Sequence, residues 1–185
     1  RVLTRRIDNL KCWRARYAIG CTPQGGILMD GVVIRLAEDR FWHVIANGEF
    51  ESWLLAFSEG LDVAVTDPGS RVLQIQGPKS MAVLSKAAAD QHAGELRYFH
   101  AGMLNPGGQE VLVSRTGWTG ELGLEIYSRP HIDHSALWDN LMASGQGPWG
   151  DLCRRRVHGH SPNRGGHSGQ WYRYGPRDDA VCSRT

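Results

Sequence analysis

Two carboxylates stand out in this chain of 185 residues. Asp30 lies in residues 27–37, ILMDGVVIRLA. In a strand, alternate residues share a face, which puts Asp30 on the same side as Leu28, Val32, Ile34 and Leu36. A carboxylate among apolar side chains is costly unless it finds a partner or points into a site. Two readings are open: a catalytic acid facing a pocket, or an acid at a strand bend beside Gly31 that bonds backbone donors. Glu125 lies in residues 122–127, LGLEIY. There Leu122, Leu124 and Ile126 take one face, while Gly123, Glu125 and Tyr127 take the other. Gly123 leaves room beside the acid for a flat ligand, although the pattern by itself favours a solvent-facing glutamate.

The segment Ser114-Arg115-Thr116-Gly117-Trp118-Thr119-Gly120-Glu121 reads as a loop between strands. Two glycines flank its Trp118, and hydroxyls surround it. Such a loop can stack an indole on a planar ring, with Arg115 as a second candidate contact. It can equally be a structured turn with a part-buried Trp. The Gln76-Gly77-Pro78-Lys79 corner could offer a helix N-terminus to an anion, but a simple turn accounts for it. Tyr17 and Arg16 lie on the first strand, and pattern assigns them no role. No Ser-His-Asp or Cys-His arrangement is suggested. Cys12, Cys21, Cys153 and Cys182 show no zinc-ligand spacing. His43 reads as a core or interface residue.

These residues need a scaffold, and residues 1–146 have the pattern to supply one. With 41% hydrophobic and 22% charged residues, a packed core is within reach and global disorder is not expected. Strands are expected over residues 11–22, 27–37, 41–46, 61–66, 72–76, 96–101, 110–115 and 122–127. The Pro23–Gly26 turn should join the first two as a hairpin. Helices are expected over residues 48–60, from Pro78 onward with Met81, Leu84 and Ala88 inward, and over residues 130–143 with Ile132, Ala136 and Leu137 inward. Hairpins followed by helices predict an α+β fold of antiparallel sheets with flanking helices. No Gly-rich phosphate loop of dinucleotide or Walker type is present. Before Gln146 there is no basic stripe with interleaved aromatics, so a nucleic-acid partner is not expected. No apolar run reaches the roughly 18 residues of a membrane span, and a reducing, cytoplasmic setting is expected. The chain begins at Arg1, so missing terminal segments are expected.

Residues 147–185 read differently. They contain no Ile, Phe, Met, Lys or Glu, hold seven of the 21 Lys and Arg residues, and have no helix or strand period. A basic, disordered tail is one reading. The other is a shifted reading frame. Codons for residues 160–166, read one base later with suitable wobble bases, permit Ile-Arg-Arg-Ile-Glu-Ala-Gly. Continuing to Pro176 permits Ile-Leu-Asp-Asn-Gly-Thr-Asp-Met-Asp-Pro. The permitted string has the period, caps and turns that the written one lacks. We therefore expect a partial domain over residues 1–146 and a frameshifted, non-native tail over 147–185.

Four segments in order, Gly25–Asp30 (GGILMD), Arg35–Trp42 (RLAEDRFW), Leu73–Lys79 (LQIQGPK) and Ser114–Tyr127 (SRTGWTGELGLEIY), resemble the folate-binding domain of the aminomethyltransferase family. This is the family of the glycine-cleavage T-protein, of the folate-linked parts of sarcosine and dimethylglycine dehydrogenases, and of tetrahydrofolate-dependent demethylases. The resemblance covers nearly all of residues 10–146. The second segment and Gln76–Met81 look closest to the demethylase branch, and the restored Ile-Arg-Arg-Ile-Glu-Ala-Gly is similar to the family's next motif. The resemblance implies a truncated folate-binding domain of aminomethyltransferase type, with tetrahydrofolate as acceptor of a methyl or methylene group from a small amine, sulfonium or methyl-ether donor. It implies that Asp30 faces the folate as the catalytic acid, that Glu125 grips the pterin edge, and that Trp118, Tyr17 and Arg115 line the pocket. Trp118 stands where the family usually has Tyr, and Met29 where many members have an acid or amide. The family's C-terminal barrel is not found here. The product is expected to be inactive or nearly so and poorly stable.

Two rivals are a non-catalytic folate-binding module and a plain interaction domain with a basic tail. Iron–sulfur-assembly relatives of the first kind carry a Lys-Gly-Cys signature, whereas Lys11-Cys12 here lacks the glycine. Resequencing the coding DNA around the Gln146 codon tests the tail: a one-base discontinuity is expected, and an intact frame in several independent clones would end that reading.

Overall fold

The computed structural model describes residues 2–45, 50–117, 119–146 and 180–183. It divides into two compact units: Arg1–Pro68 with Phe99–Ala101, and Gly69–Tyr98 with Gly102–Thr185. Among the described residues are eight strands and three α-helices, and the sheets have antiparallel registers, in keeping with the α+β expectation.

The first unit is a three-stranded sheet in the order β1 (Ala15–Cys21), β2 (Ile27–Arg35), β3 (Phe41–Ile45), followed by α1 (Phe50–Ser58). The expected hairpin forms. Gly25 adopts φ 84°, a backbone state open to glycine, while Thr22 N–H donates to the Gly26 carbonyl at 2.9 Å. β1 starts at Ala15 rather than residue 11, because Trp13 has φ 61° and leaves the extended region. Ala18, Met29 and Val33 are buried on one face of the sheet. Gly20, paired with Met29, lies on the same face, where a Cβ would stand only 2.9 Å from Phe50 Cε2. Arg35 ties the N-terminal segment to the β2–β3 turn. Its guanidinium donates to the carbonyls of Leu10 (2.6 Å), Ala37 (3.1 Å) and Glu38, and lies 5.3 Å from the centre of the Phe41 ring.

The second unit is a five-stranded sheet in the order β5 (Ala101–Leu104), β6 (Val111–Ser114), β7 (Gly123–Ser128), β4 (Arg71–Gln76), β8 (Ala180–Ser183). One face packs on α2 (Ser80–Ala88) and α3 (His134–Gly145). Ile75, Val113, Leu124, Ile126, Leu84, Leu137 and Leu141 are each fully buried in that core. Asp133 caps α3, its carboxylate accepting from the N–H groups of Ser135 and Ala136. In α2 the Ala89 cap is left-handed, at φ 51°. No helix among the described residues is long and apolar enough to cross a membrane.

Several expectations are corrected. Residues 61–66 form no strand. Gly60 turns at φ 75°, Val63 N–H bonds back to the Leu61 carbonyl, and both side chains are exposed. Residues 96–100 are not a strand either, since Phe99 has φ 56°; β5 begins at Ala101. The inward stripe of α2 is Ser80, Val83, Leu84 and Ala87, with the expected Met81 and Ala88 only partly buried on its flanks. Of the residues expected inward near α3, Leu137 and Ile132 are buried but Ala136 is exposed, and Leu141 and Ser144 complete the buried stripe. β8 pairs with β4 in a stretch that was read as having no period; edge pairing needs only backbone groups. The rest of residues 147–185 lies outside the described residues.

Two predictions follow from the first unit. A Cβ on Gly31 would sit 2.2 Å from the Val44 carbonyl oxygen on the neighbouring strand. Gly31→Ala should therefore destabilise the chain by about 2 kcal/mol or more, read as a lower urea midpoint. His43 is packed edge-on to Phe50 at 5.0 Å, its Nε2 buried with no partner among the described residues. Burial pushes its imidazole down from 6.5 to about 4. The unfolded chain then binds the proton more readily, so stability is fully present above pH 6.5 and is lost as pH falls toward 4. About 2–3 kcal/mol should disappear over that window, and His43→Leu should flatten the profile relative to wild type. Superimposable profiles would refute the assignment.

Candidate functional site

In the first unit, β1 and β2 pair with Tyr17 opposite Val32 and Ile19 opposite Asp30. Tyr17 and Asp30 are therefore diagonal neighbours on one face, within reach of each other. The Tyr17 hydroxyl donates to Asp30 Oδ2. That bond raises the Tyr17 pKa, assisted by burial and by the Asp30 charge. The apolar companions expected for Asp30 are only partly there. Ile34 is fully buried, but Leu28 is exposed and so is Asp30, because the buried face at the hairpin end is the opposite one, carrying Met29. Asp30 thus meets a phenol at the surface rather than backbone donors at a bend. Arg16 instead holds the Arg6 carbonyl and Asn9 Oδ1 (2.7 Å).

The second unit holds a denser cluster. Pairing sets Gln74 on β4, Glu125 on β7 and Ser114 on β6 side by side across three strands. They occupy the sheet face opposite the α2–α3 core. Glu125 is half-buried, not solvent-facing as its pattern suggested. Its Oε2 accepts from Thr116 Oγ1 at 2.5 Å and from the Tyr127 hydroxyl at 2.9 Å; its Oε1 takes a long contact of 3.5 Å from Gln74 Nε2. Behind it Ser114 Oγ lies 2.5 Å from Thr116 and 3.3 Å from Tyr127, and Ser114, Thr116 and Tyr127 are all buried. A hydroxyl has one proton to give. Thr116 and Tyr127 give theirs to Glu125, so Ser114 gives its own to one of those two hydroxyls. Both protons that reach the carboxylate come from buried hydroxyls. Burial first, and the Glu125 charge second, hold the Tyr127 phenol well above its ordinary pKa.

Beside this cluster opens a pocket of about 260 Å³, lined by Tyr98, Arg115, Thr116, Gly117, Gly120 and Gly123 among others. Thr116 links the pocket wall to Glu125. Arg115 is half-buried in that wall, with Nη1 on the Leu96 carbonyl at 3.1 Å. A Cβ on Gly123 would find Gln76 Cβ at 3.5 Å, ordinary contact, so the protein's own packing does not require glycine there. Trp118 lies outside the described residues. Gln76-Gly77-Pro78-Lys79 is a turn: Gly77 has φ 110°, its N–H donates to the Leu122 carbonyl, and its carbonyl accepts from Ser80 N–H. A second groove, about 480 Å³, lies between Leu73, His134 and Trp138 and is lined by none of the candidate site residues. No group of three or more His, Cys, Asp or Glu among the described residues could hold a metal. Sequence reasoning did not single out Gln74, and it gave Ser114 and Thr116 no role beyond the loop. Their roles appear only once strands β4, β6 and β7 are in register.

The profile of the GCVT N-terminal domain matches residues 1–151. An aminomethyltransferase of Chlorobaculum parvum is 31% identical over 151 residues, 78% of this chain and 41% of that protein. The dimethylsulfoniopropionate demethylase DmdA of Ruegeria pomeroyi is 29% identical over 143 residues, 76% of this chain and 39% of that protein. The crystal structure of glycine cleavage system aminomethyltransferase T from Bartonella henselae superimposes with a TM-score of 0.67 at 29% identity, covering 76% of this chain and 38% of that one. The chain spans about two fifths of the length of these relatives. With its folate-domain motifs in order and four fifths of its length matched, the chain belongs to the GCVT N-terminal domain family of aminomethyltransferases and related demethylases.

Proposed function

We propose that this chain is the folate-binding part of a tetrahydrofolate-dependent one-carbon transferase, moving a methyl or aminomethyl group from a small amine, sulfonium or methyl-ether donor. The observation that carries the reading is Glu125: a half-buried carboxylate whose every protein partner is a donor, next to a glycine that packing does not demand. Such a group is shaped to receive N–H donors from a flat heterocycle. Gly123 leaves the ring space, and Arg115 with Trp118 would flank it. In the first unit, Asp30 would act as the acid toward the one-carbon centre, and Tyr17 would hold that acid through its hydroxyl. Bound tetrahydrofolate supplies the accepting nitrogen, N5, and the protein supplies position and electrostatics.

The chain by itself is proposed to bind folate with little or no turnover. It spans two fifths of its relatives' length, and the arginine of the Arg-x-Glu-x-Gly motif occurs only in the shifted frame of residues 160–166. Residues 147–185 remain, in this proposal, a misread tail, and a cytoplasmic location goes with it.

Titration of the folded chain with 5-formyltetrahydrofolate, followed by tryptophan fluorescence and calorimetry, tests the reading. Saturable binding is expected, weakened at least tenfold by Glu125→Ala and by Gly123→Ala; Glu125→Ala also lowers the urea midpoint, because buried Thr116 and Tyr127 lose their acceptor, so each variant is titrated where its own urea curve shows it folded. A folded wild-type chain with no saturable site for any reduced folate would end the proposal. A demethylation assay on the frame-repaired chain then separates a transferase from a non-catalytic folate module.

A further inference from the structure

We infer that Tyr127, with Thr116 and Ser114 behind it, is a positioning residue for Glu125: it fixes the carboxylate as an acceptor-only group with one oxygen left for ligand, and so makes this face select heterocycles that present N–H donors. The inference deepens the folate reading and rests on it for the identity of the ligand, though not for the geometry.

The argument is a count of protons and lone pairs. Glu125 Oε2 takes two bonds, from Thr116 at 2.5 Å and Tyr127 at 2.9 Å. Among the described residues, Oε1 takes only the 3.5 Å contact from Gln74. Oε1 therefore retains accepting capacity, while Oε2 anchors the group. Rotating the carboxylate breaks two charge-assisted bonds at once. Neither Thr116 nor Tyr127 can turn its proton away cheaply. Ser114, Thr116 and Tyr127 are 0, 1 and 2% exposed, so no water replaces a lost partner. A ligand that offers a bare ring nitrogen or carbonyl to Oε1 would set acceptor against acceptor. A ligand with an amino group and a ring N–H meets the one orientation the cluster permits. Specificity here comes from the penalty on the wrong partner, and Tyr127 is what keeps that penalty in force.

The test uses the 185-residue chain, with 5-formyltetrahydrofolate and its analogue lacking the 2-amino group as probes. Wild type is expected to prefer the first by tenfold or more. Tyr127→Phe is expected to weaken the first probe about tenfold while barely changing the second, so that the ratio collapses. Thr116→Val should behave the same way, and Thr116→Ser should restore wild-type selectivity. Urea midpoints confirm that each variant is folded. A second readout needs no ligand: side-chain couplings of isotope-labelled Glu125 should report one rotamer in wild type and averaging in Tyr127→Phe. A folded Tyr127→Phe chain with wild-type affinity and selectivity overturns the inference. Should wild type bind neither probe, the folate reading fails, and the rotamer readout decides alone: averaging in the variant sustains the positioning role, and an unchanged rotamer overturns it.

Discussion

A carboxylate withdrawn from water must be repaid with donors, and that constraint organises the second unit. Glu125 finds its donors on two other strands as well as its own: Gln74 on β4, Thr116 just past β6, and Tyr127 two residues along β7. The cluster exists only in one register. That register is locked from the other face, where Ile75, Val113, Leu124 and Ile126 are fully buried under α2 and α3. Slipping β7 by one residue would drive Glu125 into that core and expose Leu124 and Ile126, which the hydrophobic effect forbids. The core thus holds the polar face in place without touching it.

The first unit handles its acid differently. Asp30 is exposed, and its partner Tyr17 is 40% exposed. In that setting a hydrogen bond contributes little to stability, because water competes for both groups. What it contributes is direction, fixing one carboxylate oxygen relative to the sheet. The rigidity beneath the pair comes from the opposite face, where Met29 and Val33 are buried, and from Arg35, whose guanidinium is fastened to three or more carbonyls.

Much of this was legible in the sequence because it depends on local periods. The Pro23–Gly26 turn between two alternating runs specified the hairpin, and the parity of residues 122–127 placed Gly123, Glu125 and Tyr127 on one face as observed. Failures came where local apolar content had no partner or where one backbone angle decided. Residues 61–66 are β-prone by composition but leave Leu61 and Val63 exposed, and Phe99 at φ 56° ends any strand through residues 96–101. The helix stripes were legible at Leu84, Ile132 and Leu137, which are buried, but not at their flanks: Met81 and Ala88 are only partly buried and Ala136 is exposed, because which flank of a stripe packs is decided by the sheet beneath it. The burial of Glu125 was not legible either. Its partners Gln74 and Ser114 lie 51 and 11 positions away, and only the pairing of β4, β7 and β6 brings them together.

The Glu125 cluster also contains two acids and room for one charge. Tyr127 and Glu125 share a hydrogen bond in a largely buried setting, where a second negative charge would be repelled by the first and solvated by nothing. The phenol keeps its proton, held back from ionising first by burial and then by the Glu125 charge. Neutralising Glu125 would undo more than one contact: the protons of Thr116 and Tyr127 would lose their strongest acceptor with no water to turn to. The two protons that meet the carboxylate therefore have one direction open to them. A site with a single allowed direction can discriminate by hydrogen-bond polarity, and a flexible glutamate on an open strand could not.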